Sequence, residues 1–182
     1  MTPEIMTQSG RYFNFLEPDP ASYTIHDIAY ALSNICRYGG HCSPFYSVAQ
    51  HSVYVSKLVE PENALLGLLH DAQEAFIGDV PSPLKALLPD YQKIEKTVTK
   101  AIFDKYELFY TPESKGDVKH ADLVALKTER KLLLPKSVVA DDAWSWIEAR
   151  TDIERSDLPI RVVNNTVAYH EFMARFEELK WI

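Results

Sequence analysis

The apolar run Ala64 to Leu69 turns abruptly polar at His70-Asp71-Ala72-Gln73-Glu74. Histidine, aspartate and glutamate are costly to bury unpaired, so a polar cluster closing a buried helix needs a partner, and a bound cation is one. His70 and Glu74 stand four residues apart, on one helical face, and Asp71 lies about 100° around the axis, close enough to converge on the same ion. Upstream, His51 shares an apolar face with Val48, Val55 and Leu58 at spacings of three, four and three. If these two helices pack antiparallel across the short connection 60–63, His51 reaches His70-Asp71. Asp122, an isolated carboxylate opening the apolar stretch Leu123 to Leu126, is a fourth candidate ligand. Two imidazoles and two carboxylates make a mixed nitrogen–oxygen shell that suits Mn, Fe, Co, Ni or Zn better than Mg or Ca.

The elements that must position these residues read almost entirely as helices. Residues 1–23 are aromatic-rich, end in Pro18-Asp19-Pro20, and are expected to form an irregular strap on a helical body. Thr24, with Asp27 three residues on, opens a helix whose Ile25, Ile28, Ala29 and Leu32 share a face. Gly39-Gly40 marks the segment Arg37 to Pro44 as a loop, and Ser47 starts the helix that carries His51. Pro61 restarts a helix predicted to continue to about Phe76, apolar all round and therefore the central buried one. A rigid turn follows over Gly78 to Pro83, and further helices are predicted near 91–106, 116–134, 143–150 and 161–180. Strand signals are almost absent. The 182 residues are expected to form one all-α domain over 1–182, a helical bundle with a short irregular N-terminal segment.

Bulk composition narrows the function classes. A hydrophobic fraction of 46% with 25% charged residues is ordinary for a globular chain. The net charge of −7 argues against a sequence-independent grip on long nucleic acid, while leaving room for a small anionic substrate in a locally positive pocket. The N-terminus lacks the pattern of a signal peptide, and the longest apolar run is too short to span a bilayer. A cytoplasmic location is expected, in the host if the chain is phage-encoded, with no membrane partner. Cys36 and Cys42 then read as free thiols, with no second pair to build a zinc cage.

Taken together, His51, His70-Asp71 and Asp122 resemble the H…HD…D pattern of the HD-domain metal-dependent phosphohydrolases, over a motif core of about 25–130. The string from His70 through Glu74, Gly78-Asp79, Pro81 and Pro83 resembles the 5′-deoxynucleotidase branch, as do Arg37-Tyr38 and Val48 to Ser52. The loop Arg37 to His41 and the ending Pro83-Leu84-Lys85 are similar to those of small bacterial and phage HD proteins, some of which are dATP triphosphohydrolases. Two positions depart from that branch: Tyr38 where tryptophan is usual, and Gln50 where glutamate is usual.

The resemblance implies that His51, His70, Asp71 and Asp122 hold a divalent transition metal (Co, Mn, Zn, Fe or Ni), with Mg on the substrate phosphates as a further cofactor. It implies that Glu74 orients or deprotonates the attacking water. Asp79 would support the centre or bind the sugar hydroxyl, Tyr38 would flank the sugar, and Arg37 and Lys85 would meet phosphate. The implied reaction is hydrolysis of the 5′-phosphate ester of a deoxynucleotide, giving deoxynucleoside plus phosphate from a monophosphate or plus triphosphate from a triphosphate. The implied partner is a small deoxynucleotide, and the implied assembly a homo-oligomer, dimer or hexamer. The rival from another class is a non-catalytic nucleotide-binding sensor module. His26-Asp27 repeats the dipeptide, but it sits just after Thr24 at a helix start and reads as a cap. Glu-x-x-His, H-E-x-x-H and G-x-S-x-G motifs are absent, which removes di-iron, zincin and serine-hydrolase alternatives.

Overall fold

A computed structural model describes residues 2–139 and 143–180. Residues 1, 140–142 and 181–182 of the expected domain lie outside the described residues.

The first departure from expectation is at the N-terminus. Its strap, irregular over most of its length, contains a small hairpin: β1 (Glu4–Met6) pairs antiparallel with β2 (Tyr12–Asn14), with Ile5 opposite Phe13. The turn between them closes through Thr7 N–H to the Arg11 carbonyl at 2.8 Å, and Gly10 takes φ +78, a conformation that glycine adopts without strain. Three-residue strands leave little period-two signal to read. Packing is what holds them: Phe13 is fully buried and stacks on Phe76 with ring centroids 3.8 Å apart. Such a pair adds about 0.5–1.5 kcal/mol beyond its burial.

Local hydrogen bonds start the next elements. Thr24 and Asp27 form a reciprocal capping box at α1 (Ile25–Asn34). A tight turn over Arg37–Gly40 leads to α2 (Val48–Val55), which Ser47 and Gln50 cap in the same way. All eight residues of α2 are buried, so α2, rather than the later helix, is the central one. Two of its polar residues find partners inside: Gln50 bonds Ser47 and the Arg161 carbonyl, and the Tyr54 hydroxyl donates to the Leu158 carbonyl.

The helix expected to continue to Phe76 stops early. It comprises α3 (Ala64–Leu69), a series of tight turns over His70 to Gln73, and α4 (Glu74–Ile77). In the turns Ala72 N–H bonds the Leu69 carbonyl at 3.1 Å and Glu74 N–H bonds the Asp71 carbonyl at 3.0 Å. These three-residue closures narrow the spiral, so the four-residue repeat that would align His70 with Glu74 is interrupted.

Gly78, at φ +79, then reverses the chain into α5 (Ser82–Lys85) and α6 (Pro89–Lys105). The long helix α7 (Pro112–Leu133) packs against α2 and α3. The segment after it contains the short α8 (Ser145–Glu148), which buries Ile147 against Leu123 and Ile153. Lys127 on α7 anchors that segment by donating to the carbonyls of Arg150 at 2.8 Å and Ile153 at 2.9 Å. The last helix, α9 (Asn165–Leu179), closes over α1 and α2. Among the described residues the protein is all-α apart from the small hairpin and an isolated bridge between Cys36 and Ser47. Among the described residues no helix is long and apolar enough to cross a membrane.

Candidate metal centre

A close approach of α2 and α3 makes the centre possible. Gly67 on α3 faces the backbone at the end of α2; a Cβ there would lie 3.2 Å from Ser56 Cα and 3.2 Å from Val59 Cγ2. With nothing between the helices, the His51 and His70 rings come to 5.3 Å, centroid to centroid.

Each ring is then oriented by its far nitrogen. His51 Nδ1 lies 2.7 Å from Glu129 Oε1, and His70 Nδ1 lies 2.7 Å from the Gly67 carbonyl oxygen. A carbonyl or carboxylate oxygen can only accept, so both Nδ1 atoms carry a hydrogen, and both Nε2 atoms are left to take either a second proton or a metal ion. Those two Nε2 atoms are buried and have no hydrogen-bond partner. They face the same oxygen: Asp71 Oδ2 is 3.0 Å from His70 Nε2 and 3.6 Å from His51 Nε2. The ligand atoms of His51, His70 and Asp71 all lie within 4.8 Å of one another.

Asp122, on α7, reaches this group through His51, its Oδ1 3.4 Å from Nε2, while Oδ2 accepts from Lys119 at 2.8 Å. The charges around the cluster favour a cation there. Burial pushes the Asp71 and Asp122 carboxyls up, but the neighbouring imidazoles outweigh it and hold both well below the usual carboxylate range. Burial and the Arg37 charge push His51 down, yet Glu129 and Asp122 prevail and carry it up to about 9. Two unpartnered imidazole nitrogens facing ionised carboxylates fit a divalent transition metal.

Glu74 and Asp79 flank the cluster in the opposite electrostatic condition. Burial, with Asp71 and Asp79 beside it, raises the Glu74 carboxyl well above its ordinary value, and its Oε2 is buried without a hydrogen-bond partner. Burial also raises Asp79, with Arg37 opposing.

The expected phosphate ligands are neither free nor solvated. Arg37 is buried and donates from Nε to Glu129 Oε2 at 3.1 Å. Tyr38, held in the left-handed region at φ 59, donates its hydroxyl to the same oxygen at 2.7 Å. Lys85, half-buried at the end of α5, is 2.5 Å from Glu95 Oε1. Both cations still act on the cluster, since both oppose the rise of Glu74.

Sequence reasoning missed Glu129. It is fully buried on α7, two helical turns after Asp122 and on the same face. That spacing of seven, a second carboxylate on the face that carries Asp122, was the available signal.

No protein-family model matches the chain. It is 42% identical over 178 residues to a protein of Escherichia coli named "Uncharacterized protein YfdR", covering 96% of this chain and 94% of that protein. A second uncharacterised protein, from Rhodobacter capsulatus, is 33% identical over 133 residues, 66% of this chain and 68% of its own length. A 5′-deoxynucleotidase of Yersinia pestis is 34% identical over 76 residues, spanning 32% of this chain and 39% of that enzyme.

Proposed function

The chain belongs to the family of the Escherichia coli protein YfdR, and from that premise we propose that it is a metal-dependent phosphohydrolase of the HD superfamily, one domain over its whole length, cleaving the 5′-phosphate ester of deoxynucleotides. The observation that carries this reading is the pair of buried Nε2 atoms of His51 and His70, both without a partner and both facing Asp71. The partial similarity to a 5′-deoxynucleotidase supports the substrate class.

His51, His70, Asp71 and Asp122 would hold the ion. Such an ion, when bound, acidifies water from a pKa of about 15.7 to about 7 and polarises a phosphoryl oxygen. The remaining work falls to the chain. Glu74 Oε2 takes the proton of the attacking water; a carboxyl with raised affinity for protons suits a base at neutral pH. Water adds to the phosphorus nearest the sugar, the bond to the 5′-oxygen breaks, and that oxygen takes a proton from solvent water and leaves as the deoxynucleoside. Arg37, its Nε committed to Glu129, offers its terminal amino groups to the phosphate, and Lys85 adds a second positive charge. Tyr38 and Asp79 would border the sugar. A monophosphate then yields phosphate, and a triphosphate yields intact tripolyphosphate.

The test is a screen of all deoxynucleoside mono- and triphosphates with Mn, Co, Zn and Mg, with products identified in ¹⁸O-labelled water. Metal-dependent release of deoxynucleoside, with label in the phosphate product, is expected. Tight nucleotide binding without turnover under every metal would instead support a sensor module.

A further inference from the structure

We infer that Glu129 is a positioning residue that joins the metal centre to the anion-binding loop. The inference rests on the metal reading of His51, His70 and Asp71. One carboxylate serves three groups: Oε1 accepts from His51 Nδ1, and Oε2 accepts from Arg37 Nε and the Tyr38 hydroxyl. Glu129 and His51 are both fully buried, so water does not compete for these bonds.

The two imidazoles are supported differently. His70 leans on the Gly67 carbonyl, a backbone group that no side-chain substitution removes. His51 leans on a charged side chain, which fixes its tautomer and raises the basicity of Nε2. The same carboxylate compensates the buried Arg37 guanidinium and fixes its orientation. Because α7 also carries Asp122, a single helix face sets one direct contact to His51 Nε2 and the support behind its Nδ1. Glu129 therefore controls metal affinity through His51 and phosphate binding through Arg37, without touching either ligand.

The experiment measures Mn and Co affinity by competition with a chelating dye, with circular dichroism on every variant to establish folding. Glu129→Gln keeps the shape but puts an amide N–H against one of three donors. Its metal affinity is expected to fall about 10–100-fold, and its KM for a monophosphate to rise even at saturating metal. Glu129→Asp, which keeps the charge, should recover part of the loss. Tyr38→Phe should leave metal affinity unchanged. In the zinc-loaded wild-type protein, ¹⁵N imidazole spectra should find His51 protonated at Nδ1; this measurement needs no variant and stands if both substitutions unfold the chain. A folded Glu129→Gln that binds metal as tightly as wild type overturns the positioning role, as does a His51 unprotonated at Nδ1. A wild-type protein that binds no divalent ion overturns the metal reading itself, a distinguishable result.

Discussion

The dipeptide His-Asp occurs twice in this chain, and its two copies live in opposite circumstances. At α1, Asp27 is buried and saturated: it accepts from Ser9 N–H at 2.7 Å, and from the N–H and hydroxyl of Thr24, each at 2.8 Å. Its companion His26 is exposed and bonds the Tyr169 hydroxyl. At the end of α3, His70 keeps a buried nitrogen without a partner and Asp71 is faced by two imidazoles. The same two residues thus finish a helix start in one place and leave ligand atoms unspent in the other. What separates a structural pair from a chemical one is the count of unsatisfied atoms after folding, since a satisfied carboxylate has nothing left to offer an ion.

The comparison can be broken most severely at Asp71. Asp71→Ala should abolish both metal content and hydrolysis, because it removes the oxygen both imidazoles face. Elemental analysis beside an activity assay reads both; full metal occupancy would end the assignment of this pair to chemistry.

Glu74→Gln comes next. It should retain metal yet lose about 10²–10⁴-fold in kcat, the scale of a positioned general base. Turnover equal to wild type would return Glu74 to the role of a helix residue.

A smaller effect is expected from separating α2 and α3. Gly67→Ala puts a Cβ against Ser56 and Val59 and should cost about 1–3 kcal/mol as overpacking. Metal affinity should weaken with it, because His51 and His70 are carried by the two helices being parted. A chemical denaturation curve and a metal titration on one preparation check both; lost stability with wild-type affinity would mean the rings do not depend on this contact.

The mildest change sharpens the contrast from the other side. Asp27→Asn should cost about 0.5–2 kcal/mol of stability, the range of a lost cap, with metal content and activity intact. Burial pushes the Asp27 carboxyl up, but the bonds from Thr24 and Ser9 outweigh it and hold it below the usual value. A depressed carboxyl stabilises the fold fully above its unfolded pKa of about 3.9 and loses that contribution as pH falls through the lower folded value. Wild type minus Asp27→Asn stability, followed by urea melts from neutral to acid pH, should therefore shrink on acidification; a constant difference would deny the carboxylate its ionised role.

Elements governed by neighbouring residues were legible in the chain. Thr24 with Asp27, and Ser47 as the start of the His51 helix, mark where helices begin because a cap is a bond between residues three apart. The predicted 91–106 and 116–134 correspond to α6 and α7 for the same reason of periodicity. The residues expected to gather about a metal could be named from their types: a histidine on an apolar face and a polar end to an apolar run are already anomalies before folding.

Three features were decided by tertiary structure alone. The hairpin at the N-terminus exists because Phe13 finds Phe76, a contact across the fold that three-residue strands cannot announce. The chain tightens after Leu69, where local periodicity would have continued to Phe76, and only the folded path reveals that Glu74 belongs to a new helix. Glu129 looks like any glutamate on a helix until folding sets His51, Arg37 and Tyr38 against its two oxygens. The physical reason is common to all three. Propensity and capping act over three or four residues, whereas partners 63, 78 or 92 residues away meet only when the helices that carry them have packed.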